Sequence, residues 1–290
     1  MTATTTATSG FSVALRLGRV SNLPTVWTNV LAGVVLAGGE AHAPLLALLL
    51  VAMSALYVGG MYLNDAFDRE VDARERPGRP IPAGLVRPAT VFAAGFGLLG
   101  LGVLLLVPAG APAALVGFLL AATIVFYDWH HKGNPFSPLV MGICRVLVYV
   151  GAAVAVTLSL PAAVPCAAVV VVCYLIGLTY IAKQETLSRV ENLWPLLFLA
   201  VPLLYALIAL RPEPLSVLLF VAFLAWVVFG LSFLFRRDGA SVPRAVVSLI
   251  AGIALLDALF IASEGHPAIA LIAVAGFALT LAFQRFVPGT

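Results

Sequence analysis

Residues 44–72 read PLLALLLVAMSALYVGGMYLNDAFDREVD, an apolar run that ends in four oxygen-bearing side chains: Asn64, Asp65, Asp68 and Asp72. The run is long enough for a helix to cross the hydrocarbon layer of a membrane, which takes about 20 residues. At about 100° per residue, Asn64, Asp68 and Asp72 fall within about 80° of one another and Asp65 lies at about 100°, so all four share one helix face. Such a face repels itself unless a cation sits on it. The donors are hard oxygens without the His or Cys that zinc selects, a set suited to Mg²⁺ carrying a phosphorylated ligand. The plainer alternative is a solvated helix end at the membrane surface. An amide and three carboxylates gathered beside lipid favour the metal site.

Of the 290 residues, 62% are hydrophobic and 10% charged, and the mean hydropathy is +1.09. One soluble core cannot hide that much apolar surface, so the chain is expected to be an all-α integral membrane protein. Apolar stretches punctuated by Pro, Gly and charges place spans at roughly 23–39, 44–63, 88–107, 112–127, 138–157, 162–180, 193–210, 214–234, 243–263 and 267–286. That makes ten spans, or nine if one is re-entrant. Residues 1–14 are expected to be a disordered tail, without the basic and apolar regions of a cleaved signal peptide. Residues 15–290 are expected to form one transmembrane domain, since no long linker or alignable repeat divides them.

With residue 1 on the cytoplasmic side, every one of the 16 Lys and Arg except Arg211 lies at or just inside that side. Basic residues are retained in cytoplasmic loops, so the loops 64–87, 128–137, 181–192 and 235–242 are expected to face the cytoplasm of a cell-membrane protein and to carry its chemistry. The net charge of +3 includes no basic tract that would point to nucleic acid. Cys144, Cys166 and Cys173 have no paired spacing and are assigned no redox or metal role.

Beyond the acidic face, Pro77, Pro80 and Pro82 with Gly78 end the helix. Arg74, Arg76 and Arg79 are thereby held near the carboxylates, either as membrane anchors paired with acids or leaning over a diphosphate. Residues 127–132, YDWHHK, gather further polar groups, with Lys132 a point charge for phosphate. His130 and His131 are adjacent, point to different helix sides and make a poor metal pair. Arg145 lies about 10 Å inside the fifth span. There it needs a partner, with Tyr149 one turn on; a structural pair with a buried acid and an anion site are both open. The segment 180–192, which also carries Tyr180 and Glu185, suits an anion held through Lys183 and Arg189 at least as well as a second cation. Asp257, alone in the ninth span, is protonated, hydrogen-bonded or facing a polar cavity, and Asn29 and Trp27 line that cavity or bridge helices.

The motif Asn64-Asp65-x-x-Asp68-x-x-x-Asp72, followed by Arg76-Pro77-Gly78-Arg79-Pro80-Ile81-Pro82, resembles the first signature of the UbiA superfamily of intramembrane prenyltransferases. Arg19-x-x-Asn22-x-Pro24, the Tyr127/Lys132 segment and the polar stretch after the sixth span sit where that family keeps its other functional elements. The likeness runs from about residue 15 to 200, and within the superfamily it is similar to the EboC-type branch.

The resemblance implies a helical barrel whose central cavity opens to the cytoplasm, with an isoprenyl diphosphate, an unidentified electron-rich acceptor and membrane lipid as partners. It implies Mg²⁺ as cofactor, held by Asn64, Asp68 and Asp72 with Glu185. Asp68, Asp72 and Lys132 would carry catalysis, while Arg19, Asn22, Asp65, Arg76, Arg79, Tyr127, Asp128, Lys132, Arg145, Tyr149, Tyr180, Lys183 and Arg189 would bind substrate. Chemistry would run through diphosphate departure and capture of an allylic cation. The family's second acidic motif is broken, since its register offers Gln184 with Ser188 or Glu185 with Arg189. Three readings therefore compete: a prenyltransferase, a terpene cyclase using the same cavity without an acceptor, and a non-catalytic prenyl-lipid carrier. A CDP-alcohol phosphotransferase is a distant alternative, because its glycine-spaced acidic motif is absent.

Overall fold

The computed structural model describes residues 9–183, 194, 196–235 and 241–289. Their regular secondary structure is entirely helical. The α-helices are α1 (Gly10–Leu17), α2 (Leu23–Leu36), α3 (Ala43–Phe67), α4 (Arg69–Glu75), α5 (Pro88–Leu106) and α6 (Ala111–His130). They continue as α7 (Ser137–Val156), α8 (Ala163–Lys183), α9 (Leu196–Ile208), α10 (Pro214–Ser232), α11 (Ser241–Ser263) and α12 (Pro267–Gln284). Proline occupies the first turn of α2, α3, α5, α6, α7, α10 and α12. Its missing N–H is no loss there, and its fixed φ suits a helix start.

Among the described residues, eight helices are long and apolar enough to cross a membrane, and two more, Val20–Leu36 and Leu196–Ile208, are apolar but shorter. The chain is a multi-pass membrane protein. The first expected span, 23–39, is thus shifted to Val20–Leu36, and the helix described within 193–210 ends at Ile208, whereas α3 and α6 run past their expected ends at 63 and 127 and carry Asn64–Phe67 and Asp128–His130 as helix. The tail expected through residue 14 is corrected over 10–14. Ser9 caps α1 by accepting from Ser12 N at 3.2 Å, and Val13 and Leu17 pack with Ala66, Ile81 and Val91. The apolar periodicity of this short amphipathic helix was hidden by the polar Thr/Ala run before it.

Close approach between helices is made by small residues, the usual device where lipid removes any hydrophobic drive for association. A Cβ on Gly102 would stand 2.6 Å from Leu56, fixing α5 against α3. One on Gly33 would stand 2.6 Å from the Tyr149 carbonyl oxygen, fixing α2 against α7. Helix α11 is the centre of the bundle: 89% of its apolar window is buried, against 17% for α12. Large side chains such as Leu104, Phe118, Leu218 and Ile272 point outward, the arrangement that a lipid solvent requires.

Candidate active site

The acidic face forms where α3 gives way to α4. Asp68 ends one helix and starts the next. Asp68 N donates to Asn64 O at 3.0 Å and Asp72 N to Asp68 O at 2.8 Å, so helical hydrogen bonding continues through the junction. The register expected for positions 64, 68 and 72 survives. Helix α4 stops at Glu75, just before the proline-rich run.

Every carboxylate of this face is already matched to a cation. Asp65 Oδ1 accepts from Arg19 Nη2 at 2.9 Å and from Arg79 Nη1 at 3.1 Å. Arg79 Nη1 also donates to Asp72 Oδ2 at 2.8 Å. Asp68 Oδ2 meets Lys132 Nζ at 3.1 Å and His131 Nε2 at 3.4 Å. Burial pushes the Asp68 carboxyl up, but His131 and Lys132 outweigh it and hold the group below its ordinary range. At Asp72 burial wins, helped by the neighbouring charges of Asp68 and Asp65, and the carboxyl is raised despite Arg79.

A cavity of about 550 Å³ opens beside this network. Its lining includes the polar Asn64, Asp68, Arg76, Arg79, His131 and Lys132 and the apolar Leu175, Leu178, Ile250 and Ile253. Arg19, Asn22, Tyr127 and Arg145 also reach it. Asp65 instead borders a smaller neighbouring cavity of about 340 Å³, with Arg19, Arg76 and Arg79. Asp72, at 2% exposure, lies behind Arg79 and outside the main cavity's lining. The side chain of Lys183, with Glu185 and Arg189, lies outside the described residues. Tyr180 donates to the Pro135 carbonyl at 3.0 Å. Tyr149 is fully buried on α7.

Asp128 stands one layer back. Its Oδ1 accepts from Asn64 Nδ2 at 3.2 Å, whereas its buried Oδ2 has no hydrogen-bond partner among the described residues. An orphaned buried carboxylate oxygen beside Asn64 and Asp68 fits a cation ligand set. No cluster of three or more His, Cys, Asp or Glu poised for a metal occurs among the described residues. The fit therefore relies on Asn64 Oδ1, the Asp68 carboxylate and substrate oxygens, as is usual for Mg²⁺.

Sequence reasoning did not place His131 or Tyr57 at the cavity. His131 touches Asp68 and stacks on Tyr127, with ring centroids 4.9 Å apart; treating the His pair only as a zinc site concealed it. Tyr57 lines the cavity with Met61, Asn64 and Asp68. Their spacing of four, three and four is one helical stripe, a signal present in the sequence.

The chain is a multi-pass helical membrane protein with a cavity whose lining includes members of a network of paired acids and bases. The model of the UbiA prenyltransferase family matches residues 25–251; the chain belongs to that family. It is 34% identical over 134 residues to a digeranylgeranylglyceryl phosphate synthase of Methanopyrus kandleri, covering 44% of this chain and 46% of that one. It is 35% identical over 147 residues to a protoheme IX farnesyltransferase of Acidiphilium cryptum, covering 47% and 44%. The chain spans about half the length of these curated relatives. Among solved structures, a UbiA homologue from Archaeoglobus fulgidus shares the fold with TM-score 0.63 and 15% identity, over 89% of this chain and 99% of that one. The same homologue bound to GPP and Mg²⁺ matches with TM-score 0.62 and 14% identity, over 89% and 99%.

Proposed function

We propose that this chain is a Mg²⁺-dependent intramembrane prenyltransferase that ionises an isoprenyl diphosphate and passes the prenyl group to an aromatic or other electron-rich acceptor. The observation that carries the reading is one cavity lined both by Asn64, Asp68, Lys132, Arg76 and Arg79 and by the apolar Leu175, Leu178, Ile250 and Ile253. Such a mixed lining suits a ligand with a diphosphate head and a hydrocarbon tail. Family membership and the homologue bound to GPP and Mg²⁺ support the same assignment.

Asn64 and Asp68 would hold the ion, with Asp128 Oδ2 the further buried oxygen at hand. When bound, Mg²⁺ supplies positive charge against the diphosphate oxygens. Lys132 and the guanidinium groups of Arg76 and Arg79 bind the same oxygens as they gain charge. The carbon–oxygen bond to diphosphate breaks with its electron pair going to the leaving group. The acceptor's electron pair then forms the new bond to carbon, and its proton passes to the released diphosphate. The apolar walls keep water from the cation. Asp72 works at one remove, by holding Arg79.

The test is diphosphate release by the protein in nanodiscs with geranyl, farnesyl and geranylgeranyl diphosphates, followed by mass analysis of lipid products. Release that stops when Mg²⁺ is chelated is expected. A cyclised product formed without acceptor would move the assignment to a cyclase, and saturable binding without release would move it to a carrier.

We also infer that the cavity mouth faces the cytoplasm, from the distribution of Lys and Arg. With the native thiols replaced, a cysteine at exposed Gly78 should react with an impermeant maleimide in inside-out vesicles. Reaction in right-side-out vesicles instead would reverse the topology.

A further inference from the structure

A second polar centre lies deeper in the same cavity. Arg145 sits eight residues into α7, about 12 Å along its axis. Its Cζ stands 5.9 Å from the Tyr57 ring centroid. Tyr57 is seven residues, about 10 Å of helix, from Asn64. Arg145 Nη1 donates to Asn29 Oδ1 at 2.7 Å and Nη2 to Thr25 Oγ1 at 3.1 Å. Both acceptors are neutral, and Arg145 forms no ion pair among the described residues. Two of its five N–H donors are accounted for by these bonds, and the side chain lines the cavity.

The orientation of Asn29 is fixed from behind. Its Nδ2 donates to Asp257 Oδ2 at 2.8 Å and to the Tyr149 hydroxyl at 3.1 Å. Tyr149 in turn donates to Asp257 Oδ1, and Thr28 Oγ1 also bonds to Asp257. With its amide nitrogen against a carboxyl group, Asn29 must present Oδ1 to the guanidinium. Asp257 and Asn29 are fully buried, and Asp257 lies beyond the stretch 25–251 matched by the family model. A purely structural pair would put Asp257 directly on Arg145. An amide lies between them instead, so the guanidinium keeps charge and donors for the cavity, in a low-dielectric setting where such a cation calls for an anion.

We propose that Arg145 docks the oxyanion of an acidic prenyl acceptor, a carboxylate or phosphate monoester, with Asp257 acting through Asn29 as its positioning residue. The acceptor role rests on the prenyltransferase reading above. The spacing supplies one cationic centre for the diphosphate and another for the acceptor head. The acceptor's nucleophilic atom would then lie between the two.

The test is binding to the full chain in nanodiscs with the diphosphate site saturated by Mg²⁺ and the non-ionising analogue geranyl S-thiolodiphosphate. The probes are dodecyl phosphate, laurate and the neutral dodecanol. At least one anionic probe should bind about ten-fold more tightly than dodecanol, as expected for a charge-assisted hydrogen bond, and the stronger of the two identifies the acceptor's acid. Arg145→Gln should remove that preference and leave analogue binding within about three-fold, Arg145→Lys should keep part of it, and Asp257→Asn should weaken it while retaining side-chain shape.

Equal binding of all three probes by the wild type overturns the proposal, and needs no variant to fold. So does an Arg145→Gln protein that keeps the preference or loses analogue binding instead. If the analogue does not bind at all, the prenyltransferase reading fails. The probes are then compared without it: an anion preference that Arg145→Gln abolishes upholds the oxyanion site, and none rejects it.

Discussion

Asp68→Asn is expected to lower Mg²⁺-dependent diphosphate release by about a thousand-fold while leaving the bundle folded. The substitution keeps the side chain's shape but removes the charge that faces the cavity. A metal ion against a departing diphosphate is worth several kcal/mol of transition-state stabilisation, and each 1.36 kcal/mol is about ten-fold in rate. Folding should tolerate the change because Lys132, the nearer of the two bases on Asp68, is 48% exposed and can turn to water, while His131 can still donate to an amide oxygen. Release by the variant and wild type is compared across Mg²⁺ concentrations, with the heat-stability of detergent-solubilised protein as the folding control. Unchanged turnover would remove Asp68 from the metal site; equal loss of activity and stability would make its role structural.

Arg79→Ala should have the largest effect on stability. One nitrogen, Nη1, holds both Asp65 and Asp72. The side chains of Arg79, Asp65 and Asp72 are only 14%, 6% and 2% exposed. Without Arg79, Asp65 keeps Arg19, but Asp72 loses its cation and becomes a buried charge without compensation. Breaking a buried pair in this way costs about 3–5 kcal/mol. Arg79→Lys should retain most of the stability, because both contacts run through a single nitrogen that an ammonium can replace. Adding Asp72→Asn to Arg79→Ala should recover part of the loss by removing the stranded charge. Unfolding temperatures of the four proteins in one detergent decide the matter. If Arg79→Ala melts with the wild type, the ion pairs contribute nothing to the fold.

Local signals carried much of this molecule. The acidic face was readable because positions 64, 68 and 72 lie on one helical run and need only the helical repeat to meet. The stop at Glu75 followed from prolines two to seven residues further on. What stayed hidden was pairing across helices. Arg145 and Asn29 are 116 positions apart, and Asn29 and Asp257 are 228 apart. Each announces a need for a polar partner, but only helix packing selects which one. Asp65 and Asp72 belonged by pattern to the ligand face, yet both pair with Arg79 and neither lines the main cavity. No periodicity reports which of four oxygens a neighbouring guanidinium will claim.

The burial of α11 at the bundle's centre bears on how the protein is made. Chains emerge from the ribosome N-terminus first. The ion-paired face draws only on Arg19, residues 64–79 and residues 128–132, so its parts are in the membrane before α11 has been synthesised. Ile250 and Ile253 of the cavity wall arrive later, as does Asp257 behind Asn29. The cavity wall and the support behind Asn29 are therefore complete only once one of the last helices is in place.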